Sequence, residues 1–565
     1  GDGLGCRGET VASWQTGLSL FVFASRRRHT RSDPIFEVVT GPGSPFEIGE
    51  RNGMRQFVNA PNDLNLMIER ARDFGDRTLI VDGDLRLSFS DVFERRDALA
   101  ARLGIERGDR VGLCMKNSAA WMIGYLAILA RGGVAVAVNS RGSPSELAAM
   151  LDDVGARLVL ADADRAKRLH EGGFRGRILQ TSEFPESAEA PLVALAPGNP
   201  DDAAAILFTS GTTGRVKGAV LTHKNLIHGI MLMQLSGVMI LHGMAQKFGI
   251  DVETLRGNLP QAAVLQVYPL FHISGMGSAF LSPMLAGSKI LVMHRWDPEE
   301  ALRLIAAERI SMFSGVPTML WDLLNRAKID GADLSSITNI GTGGQALPVH
   351  LLDAMRAACP QAFMGTGYGL TETSGSVAQS VGEDFIRNRT SAGRVLSLVD
   401  LKVDAPPGEA GEIMVRGPMV MKGYWNRPED TAAVLSAEGW FRTGDIGRVD
   451  EEGYVFIVDR KKDMVISGGE NIYCAEVERV IGAMAGVHEC AAFGIPDERL
   501  GELLVTVAVA SGVSEDAIKS EVGEKLARYK APGRVVLASE PLPRNAVGKI
   551  DKIKLRAMWS ALSGA

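Results

Sequence analysis

From about residue 64 onward, short apolar runs alternate with longer segments in which apolar residues recur at helical spacing. Residues 110–115, 133–138 and 157–161 are apolar runs of strand length, and residues 119–130 and 145–154 between them have the helical pattern. Strand, helix and strand at this spacing predict a parallel sheet with helices on its faces. Because the same alternation returns over residues 289–327, the pattern predicts an α/β fold for most of the chain.

The pattern changes near residue 459, where the charged stretch DRKKD separates two strand-like segments. A compact mixture of helical and strand patterns follows it to residue 526. Residues 1–52 show no organised periodicity and include SRRRHT, which looks like translated cloning sequence, so we leave them out of the fold prediction. The expected divisions are an N-terminal extension over 1–52, a large domain over 53–458, a hinge over 459–462 and a small domain over 463–565.

Composition excludes several classes of function. The 565 residues include 61 basic and 67 acidic ones mixed along the chain, so the net charge of -6 gives no footprint for nucleic acid or an anionic membrane. Five scattered cysteines without metal-site spacing are typical of reduced thiols in a cytoplasmic protein. The apolar segments 18–24 and 230–241 are shorter than the ~18–20 residues that a spanning helix needs, so we expect no transmembrane segment.

A loop rich in glycine and hydroxyl residues follows an apolar strand in the sequence ILFTSGTTGRVKG, residues 206–218. Glycines let backbone N–H groups point inward, hydroxyls add donors and Lys217 adds a positive charge, which together suit a polyphosphate. A flexible polar turn is the alternative, and the spacing is not that of the Walker loop. The residues assigned to the phosphates are Thr209, Ser210, Gly211, Thr212, Thr213, Gly214 and Lys217.

Six further motifs follow in a fixed order: YPLFHISG (268–275), TGGQALP (342–348), GYGLTET (367–373), WFRTGD (440–445), DRKKDMVISGGENIY (459–473) and PRNAVGKI (543–550). This combination resembles the adenylate-forming superfamily, which includes acyl-CoA synthetases, luciferases and peptide-synthetase adenylation domains. The resemblance covers roughly residues 60–555. It implies a large N-terminal domain of parallel-sheet subdomains packed with helices, a small β subdomain, and a small mobile α+β C-terminal domain.

By this resemblance, the nucleotide site draws on four of the motifs. Tyr368, between two glycines, would lie flat against the adenine, and Thr371 would bond the α-phosphate. Asp445 would accept both ribose hydroxyls, and Arg460 would make a second ribose contact. The other residues that the resemblance assigns to the nucleotide are Gly343, Gly344, Gln345, Ala346, Gly367 and Gly369.

Four residues carry the chemistry that the resemblance implies for adenylation. Glu372, together with Thr212, would hold Mg²⁺, which prefers oxygen ligands. Lys549 would place a positive charge on the reacting oxygens as the acid attacks the α-phosphorus of ATP. His272 would lie beside the substrate carboxylate and the γ-phosphate, although a histidine in an aromatic stretch is more often a packing residue.

The resemblance also implies a second step, in which a thiol takes the acyl group. Family members rotate the small domain about a hinge two residues past the ribose-binding arginine, which here is Lys462. Ser467, Gly468 and Gly469 would then line the channel for CoA. The acyl pocket is expected to be formed by Phe271, Gly275, Met276 and Val316.

The sequence therefore predicts an ATP-dependent acid–CoA ligase with Mg²⁺ as cofactor, acting as a monomer or homodimer. The apolar pocket favours a medium- or long-chain fatty acid over an aryl acid. A ligase that loads a carrier protein shares the first step, so the ATP motifs do not distinguish it. A nucleotide-binding pseudoenzyme is the non-enzymatic alternative. The Met-rich segment 232–261 is assigned to packing, ahead of an acyl-tunnel wall or a membrane-surface contact.

Overall fold

The computed structural model describes residues 34–187, 198–210, 216–343, 349–461, 463–467, 470–545 and 548–563. Strands in this part of the chain form two large sheets, two small sheets and a hairpin. In chain order they are β1 (Ile48–Arg51), β2 (Met54–Phe57), β3 (Thr78–Asp82), β4 (Leu85–Ser88), β5 (Arg110–Cys114), β6 (Val134–Ala137), β7 (Leu158–Ala161), β8 (Arg177–Gln180), β9 (Ala203–Ser210), β10 (Val216–Thr222), β11 (Ala263–Gln266), β12 (Lys289–Val292), β13 (Met312–Gly315), β14 (Asn339–Gly343), β15 (Phe363–Tyr368), β16 (Ala378–Val381), β17 (Arg394–Val395), β18 (Asp400–Asp404), β19 (Gly411–Arg416), β20 (Gly423–Tyr424), β21 (Phe441–Val449), β22 (Val455–Arg460), β23 (Val465–Ser467), β24 (Glu470–Ile472), β25 (Val487–Asp497), β26 (Gly501–Ala510) and β27 (Arg534–Leu537).

Many of the helices begin at a residue whose side chain caps the first turn. Ser88, Ser143 and Thr222 each accept a hydrogen bond from the backbone of the third helical residue, whose side chain bonds back. The helices are α1 (Pro34–Thr40), α2 (Leu64–Arg70), α3 (Phe89–Leu103), α4 (Ala119–Ala130), α5 (Pro144–Asp153), α6 (Ala163–Glu171), α7 (His223–Phe248), α8 (Val252–Asn258), α9 (Ser282–Leu285), α10 (Pro298–Glu308), α11 (Pro317–Asp330), α12 (Val349–Ala358), α13 (Glu383–Arg387), α14 (Pro428–Val434), α15 (Cys474–Gly482), α16 (Glu515–Lys525) and α17 (Lys552–Ser563). Shorter turns include a π-helical segment, Ser274–Leu281, and a 3₁₀ turn, Thr371–Thr373.

Both large sheets have a parallel centre, with antiparallel strands at one edge of the seven-stranded sheet and at both edges of the nine-stranded sheet. The seven-stranded sheet has the order β20-β10-β9-β6-β5-β7-β8, in which the strands from β9 to β8 are parallel. The nine-stranded sheet has the order β17-β16-β15-β14-β13-β11-β12-β3-β4, in which the strands from β15 to β3 are parallel. Strands such as β6 and β7 are buried along their whole length, as parallel strands covered on both faces require. The predicted α/β fold is therefore confirmed.

Two smaller sheets complete the chain. Strands β18, β19, β21 and β22 form an antiparallel sheet. Strands β23 to β27 form a mixed sheet, in which only β26 and β27 are parallel among the described strands, and α15 and α16 pack on one of its faces. On the other side of that second sheet, α17 packs Leu555 and Trp559 against Phe493. Strands β25 and β26 have buried centres and mostly half-buried ends.

The long helix α7 differs from its prediction. Its 26 residues include the apolar segment 230–241, but also continue on both sides of it. Among the described residues, α7 is the one helix whose length and composition would allow it to cross a membrane. Of its most apolar window, 61% is buried inside the protein, as in a core helix. The helix packs against β9 and β10 of the seven-stranded sheet. The assignment of the whole segment 232–261 to packing stays a prediction, because most of residues 249–260 are exposed.

Residues 34–52, which the sequence prediction left out, contribute to the fold. Helix α1 packs against α7, and Val39 is 5% exposed within the largest apolar core. Strand β1 pairs with β2 from Ile48 to Arg51. These short elements carry too few apolar residues to show a period, so only their packing reveals them.

Candidate active site

Of the predicted site residues, Thr209, Gly343 and Tyr368 lie at the carboxyl ends of β9, β14 and β15, where parallel sheets place their ligand sites. Thr209 and Ser210 end β9, while Gly211, Thr212, Thr213 and Gly214 lie outside the described residues. Thr209 pairs with Lys217 across the β9–β10 hairpin. The Lys217 ammonium is 2.6 Å from the carboxylate of Asp430, on α14. Lys217 is thus held by an ion pair that the sequence analysis did not predict.

Tyr368, Asp445 and Arg460 meet at one point, although they come from three strands. The Tyr368 hydroxyl donates to Oδ2 of Asp445 at 2.8 Å, and Nε of Arg460 lies 3.1 Å from Oδ1. Asp445 and Arg460 face each other in the β21–β22 register, and Asp445 is 3% exposed. Burial and the Asp445 charge raise the pKa of Tyr368 well above its usual value, so the phenol keeps its proton. The structure therefore brings together the three residues predicted for adenine and ribose.

Glycines shape the loop that follows Tyr368. A Cβ at Gly369 would lie 1.4 Å from the carbonyl oxygen of Gly375, so only glycine fits there. Gly343 and Gly367 face each other on β14 and β15, and a Cβ at either would make only ordinary contacts, at 3.5 and 3.6 Å. The backbone at these two positions is therefore open to a ligand. Gly344, Gln345 and Ala346 lie outside the described residues.

Glu372 is held by the segment that leads into β20. Its backbone carbonyl accepts a hydrogen bond from the N–H of Met421 at 2.7 Å, and its Oε1 accepts one from the Tyr424 hydroxyl at 2.9 Å. Burial and the Glu372 charge raise the pKa of Tyr424, so the phenol remains a donor. Thr371 precedes Glu372 in the same 3₁₀ turn. These contacts aim a carboxylate that is 8% exposed towards the end of β9.

The environment of Glu372 fits Mg²⁺ held mainly by substrate phosphates. Its Oε2 has no hydrogen-bond donor among the described residues, although the carboxylate is buried. The described part of the chain contains no group of three His, Cys, Asp or Glu side chains that could hold a metal alone. Mg²⁺ is commonly bound by one or two carboxylates with phosphates and water, so a single glutamate suffices.

His272, near the middle of the chain, lies close enough to Lys549, near its C-terminal end, for the lysine charge to act on the imidazole. Burial, together with the charges of Lys549 and Arg141, lowers the pKa of His272 to about 4. The imidazole is therefore neutral at ordinary pH, and its buried Nε2 has no hydrogen-bond partner within the described residues. A Cβ at Gly548 would lie 3.7 Å from Val316, so the turn that carries Lys549 rests on the large sheets.

The residues predicted for the acyl pocket are buried next to this site. Phe271, Met276 and Val316 are 5%, 0% and 3% exposed. Gly275 packs against the carbonyl of Pro269, where a Cβ would lie 2.2 Å from the oxygen. None of these four lines the mainly apolar cleft found farther along α7. That cleft is lined by the apolar residues Ile240, Met244, Phe363, Met364, Val381 and Ile386 and by the polar residues Arg356, Gln361 and Glu383, among others.

The residues predicted for the thiol step are only partly described. Ser467 ends β23, where it pairs with Glu470 and Gly501. The hinge residue Lys462 and the channel residues Gly468 and Gly469 lie outside the described residues.

The sequence analysis did not predict Tyr424 or Asp430. Both lie in GYWNRPEDT, where a glycine and aromatic residues come before a helix that begins with proline, and this pattern could have indicated them.

Comparison with known proteins identifies the family. The profile described as AMP-binding enzyme matches residues 67–425, more than half of the chain, and the profile of the AMP-binding enzyme C-terminal domain matches residues 476–549. The chain belongs to the AMP-binding enzyme family. The predicted membership of the adenylate-forming superfamily is therefore confirmed.

Relatives in the AMP-binding enzyme family include CoA ligases for several acids. Long-chain-fatty-acid–CoA ligase FadD13 of Mycobacterium tuberculosis is 35% identical over 502 residues, covering 85% of this chain and 94% of that protein. Feruloyl-CoA synthase of Amycolatopsis sp. is 34% identical over 501 residues, covering 86% and 97%. The structure of O-succinylbenzoate coenzyme A synthetase from Bacillus subtilis, in complex with ATP and magnesium ion, has a TM-score of 0.72 at 29% identity, covering 86% and 98%. The predicted AMP-forming, ATP-using acid–CoA ligase is confirmed at this level.

Proposed function

We propose that this ligase activates a medium- or long-chain fatty acid as acyl-AMP and transfers the acyl group to CoA. The observation that carries the choice of acid is the apolar cleft beside α7 and β15, at a distance from the nucleotide residues. An apolar cleft selects a substrate by shape and hydrophobic burial, so it suits the tail of a long apolar acid.

In the first step, the substrate carboxylate attacks the α-phosphorus of ATP, an O–P bond forms and pyrophosphate leaves. We assign adenine and ribose to Tyr368, Asp445 and Arg460. The contacts among these three side chains support this assignment. The Lys549 ammonium would stabilise negative charge on the reacting oxygens. Neutral His272, with its unsatisfied Nε2, would hydrogen-bond an oxygen of the bound acid or phosphate.

Glu372, with Thr212 of the phosphate loop, would hold Mg²⁺, which when bound neutralises phosphate charge and stabilises the leaving pyrophosphate. Thr371, in the same turn as Glu372, would donate its hydroxyl to the α-phosphate. The Gly-rich loop would enclose the other two phosphates with its backbone N–H groups.

In the second step, the CoA thiol attacks the acyl carbonyl, the C–S bond forms and AMP leaves. We assign the hinge to 459–462, with Lys462 as pivot between the large domain and the small domain over 463–565. Ser467, Gly468 and Gly469 would line the thiol channel after rotation. An acceptor on a carrier protein remains the alternative, tested by supplying acyl-AMP with CoA or with holo-carrier protein.

The acyl chain would run along α7 from the nucleotide site to the cleft. Gly229 of α7 lies against Ser374, just after the turn that carries Glu372, and Ser236 donates to the Gln379 side chain of β16. Met244 of the same helix lines the cleft. Fifteen helical residues separate Gly229 from Met244, a path of about 22 Å at 1.5 Å per residue. That path suits a long acid better than a compact aryl acid.

The test is a panel of straight-chain and aryl acids, scored by pyrophosphate release, with the protein and a Met244→Trp variant. The larger side chain should fill part of the cleft. We expect kcat/KM for long-chain acids to fall at least roughly tenfold, with short acids little affected. Ile250→Trp is the matched control, because Ile250 lies just past α7, outside the cleft, and is 40% exposed. A preference for aryl acids, or an equal loss for all lengths, would contradict the proposed acid.

We further propose that the ligase is cytoplasmic and acts as a monomer or homodimer. The cysteines of the described part of the chain are unpaired thiols, Cys114, Cys359, Cys474 and Cys490, which supports a reducing compartment. Size-exclusion chromatography with light scattering would distinguish the two assembly states.

A further inference from the structure

One phenol connects two parts of the nucleotide site that are distant in the sequence. The Tyr424 hydroxyl donates to Oε1 of Glu372 at 2.9 Å, and the Thr209 side chain also reaches this hydroxyl. Glu372 lies in the turn after β15, and Thr209 lies at the end of β9 in the other large sheet. Tyr424 therefore lies between the carboxylate assigned to Mg²⁺ and the start of the phosphate loop.

The Tyr424 ring is held on several sides. Its backbone pairs with Ala219 of β10, and its N–H donates to Oγ1 of Thr431 at 2.9 Å. The Lys217 ammonium lies 5.3 Å from the ring centroid and is itself tied to Asp430. A ring fixed in this way holds its hydroxyl at one position.

The segment 421–424 holds Glu372 at two points. Met421 donates its N–H to the Glu372 carbonyl at 2.7 Å, three residues before Tyr424 donates to the carboxylate. The same segment is tied to α7, because the Asn225 amide donates to the carbonyls of Pro418 and Val420 at 2.8 and 2.7 Å. With Oε1 occupied by Tyr424, the side chain presents Oε2 to a ligand.

We propose that Tyr424 is a positioning residue that orients the Glu372 carboxylate for the Mg²⁺ bound with ATP. This inference rests on the proposed function, because it assigns Mg²⁺ to Glu372. A carboxylate oriented by a neighbouring donor loses less freedom on binding a cation than one that rotates freely. Tyr424 touches neither the metal nor the reacting atoms in this role, and acts through Glu372.

The test is Tyr424→Phe, which keeps the ring beside Lys217 and removes only the hydroxyl. Binding of a fluorescent ATP analogue to the full chain is titrated with Mg²⁺, without acid substrate. We expect the Mg²⁺ concentration for half-maximal binding to rise about tenfold or more, as for other residues that orient a metal ligand. AMP affinity measured without Mg²⁺ should stay the same, because Tyr368 and Asp445 are unchanged.

Tyr454→Phe is the matched control. The Tyr454 hydroxyl also donates to a carboxylate, that of Asp384, but Tyr454 pairs with Arg394 rather than with the strands of the phosphate loop. This variant should leave the Mg²⁺ titration unchanged. An unchanged titration for Tyr424→Phe would overturn the proposal, and so would an equal weakening of Mg²⁺-dependent binding and AMP binding. If no acid is turned over, the proposed function fails, yet the titration still reports on Tyr424.

Discussion

Lys549 owes its position to the turn that carries it. Gly548 has φ of +83°, a conformation that favours glycine, and its carbonyl accepts a hydrogen bond from Arg544 at 2.8 Å. Arg544 is anchored by Glu489 of β25 at 2.5 Å. The turn that carries Lys549 is thus anchored to β25 of the small sheet.

Lys549→Ala should abolish most acyl-AMP formation, because it removes the positive charge from the reacting oxygens. We expect the rate of acid-dependent ATP–pyrophosphate exchange to fall roughly 100- to 1000-fold, as when one stabilising donor is removed. Conversion of supplied acyl-AMP to acyl-CoA should persist. Lys554→Ala, on the exposed side of α17, is the control and should leave both rates unchanged. Equal loss of the two half-reactions would argue against the role of Lys549.

At the scale of elements, the close contact between α7 and the Thr371–Ser374 turn matters most for the site. A Cβ at Gly229 would lie 2.7 Å from the Ser374 carbonyl oxygen and 3.1 Å from its Cβ. Ser374 itself has φ of +51°, which leaves this backbone little room to adjust. Farther along the helix, Gly237 is exposed and a Cβ there would meet nothing within 4 Å.

Gly229→Ala and Gly237→Ala should therefore change stability in opposite directions. The first should push the turn that carries Glu372 and lower the free energy of unfolding by about 1–3 kcal/mol, with loss of activity. The second should raise it by about 0.5–1 kcal/mol, because alanine favours a helix over glycine. Urea unfolding and ATP–pyrophosphate exchange measure the two effects. A stabilised Gly229→Ala variant would show that the contact with Ser374 is unimportant.

A comparison of predicted and observed helix bounds shows where the local apolar pattern is sufficient to predict a helix and where it is not. The helix over residues 119–130 was predicted with the bounds that the structure has, since buried apolar residues fill it and the cap Ser118 marks its start. Helix α7 was underestimated, because Gln234, Ser236 and Gly237 interrupt its apolar run without interrupting its backbone.

For the whole molecule, the proposed boundary between the two domains lies where the charged stretch DRKKD begins. Asp459, at the end of β22, accepts a hydrogen bond from the N–H of Ala475 at the start of α15, at 3.1 Å. The Gly548 turn rests near Val316 on the other side of the site. In the proposed mechanism, Lys549 acts in adenylation in this arrangement, and the thiol step would need the small domain over 463–565 to move.

Lys462→Pro tests whether rotation at this position is required for the second step. Proline fixes φ near −65°, so it should restrict the hinge. We expect acyl-AMP formation to remain within a few-fold of normal and acyl-CoA formation from acyl-AMP to fall at least about tenfold. Lys462→Ala separates loss of the charge from loss of rotation and should retain both steps. Normal thiol transfer in the proline variant would place the hinge elsewhere.

The amino-acid sequence by itself determined the α/β class, the order of the motifs and the residue types of the nucleotide site. The fold class follows from periodicity and the motifs from local spacing, which depend on neighbours in the chain. The nucleotide residues follow from the resemblance of those motifs to the adenylate-forming superfamily. Only the tertiary structure decided that Lys217 pairs with Asp430, that Tyr368 meets Asp445 and that Tyr424 holds Glu372. The paired residues are 213, 77 and 52 positions apart, and their contacts arise only when separate strands and helices pack together.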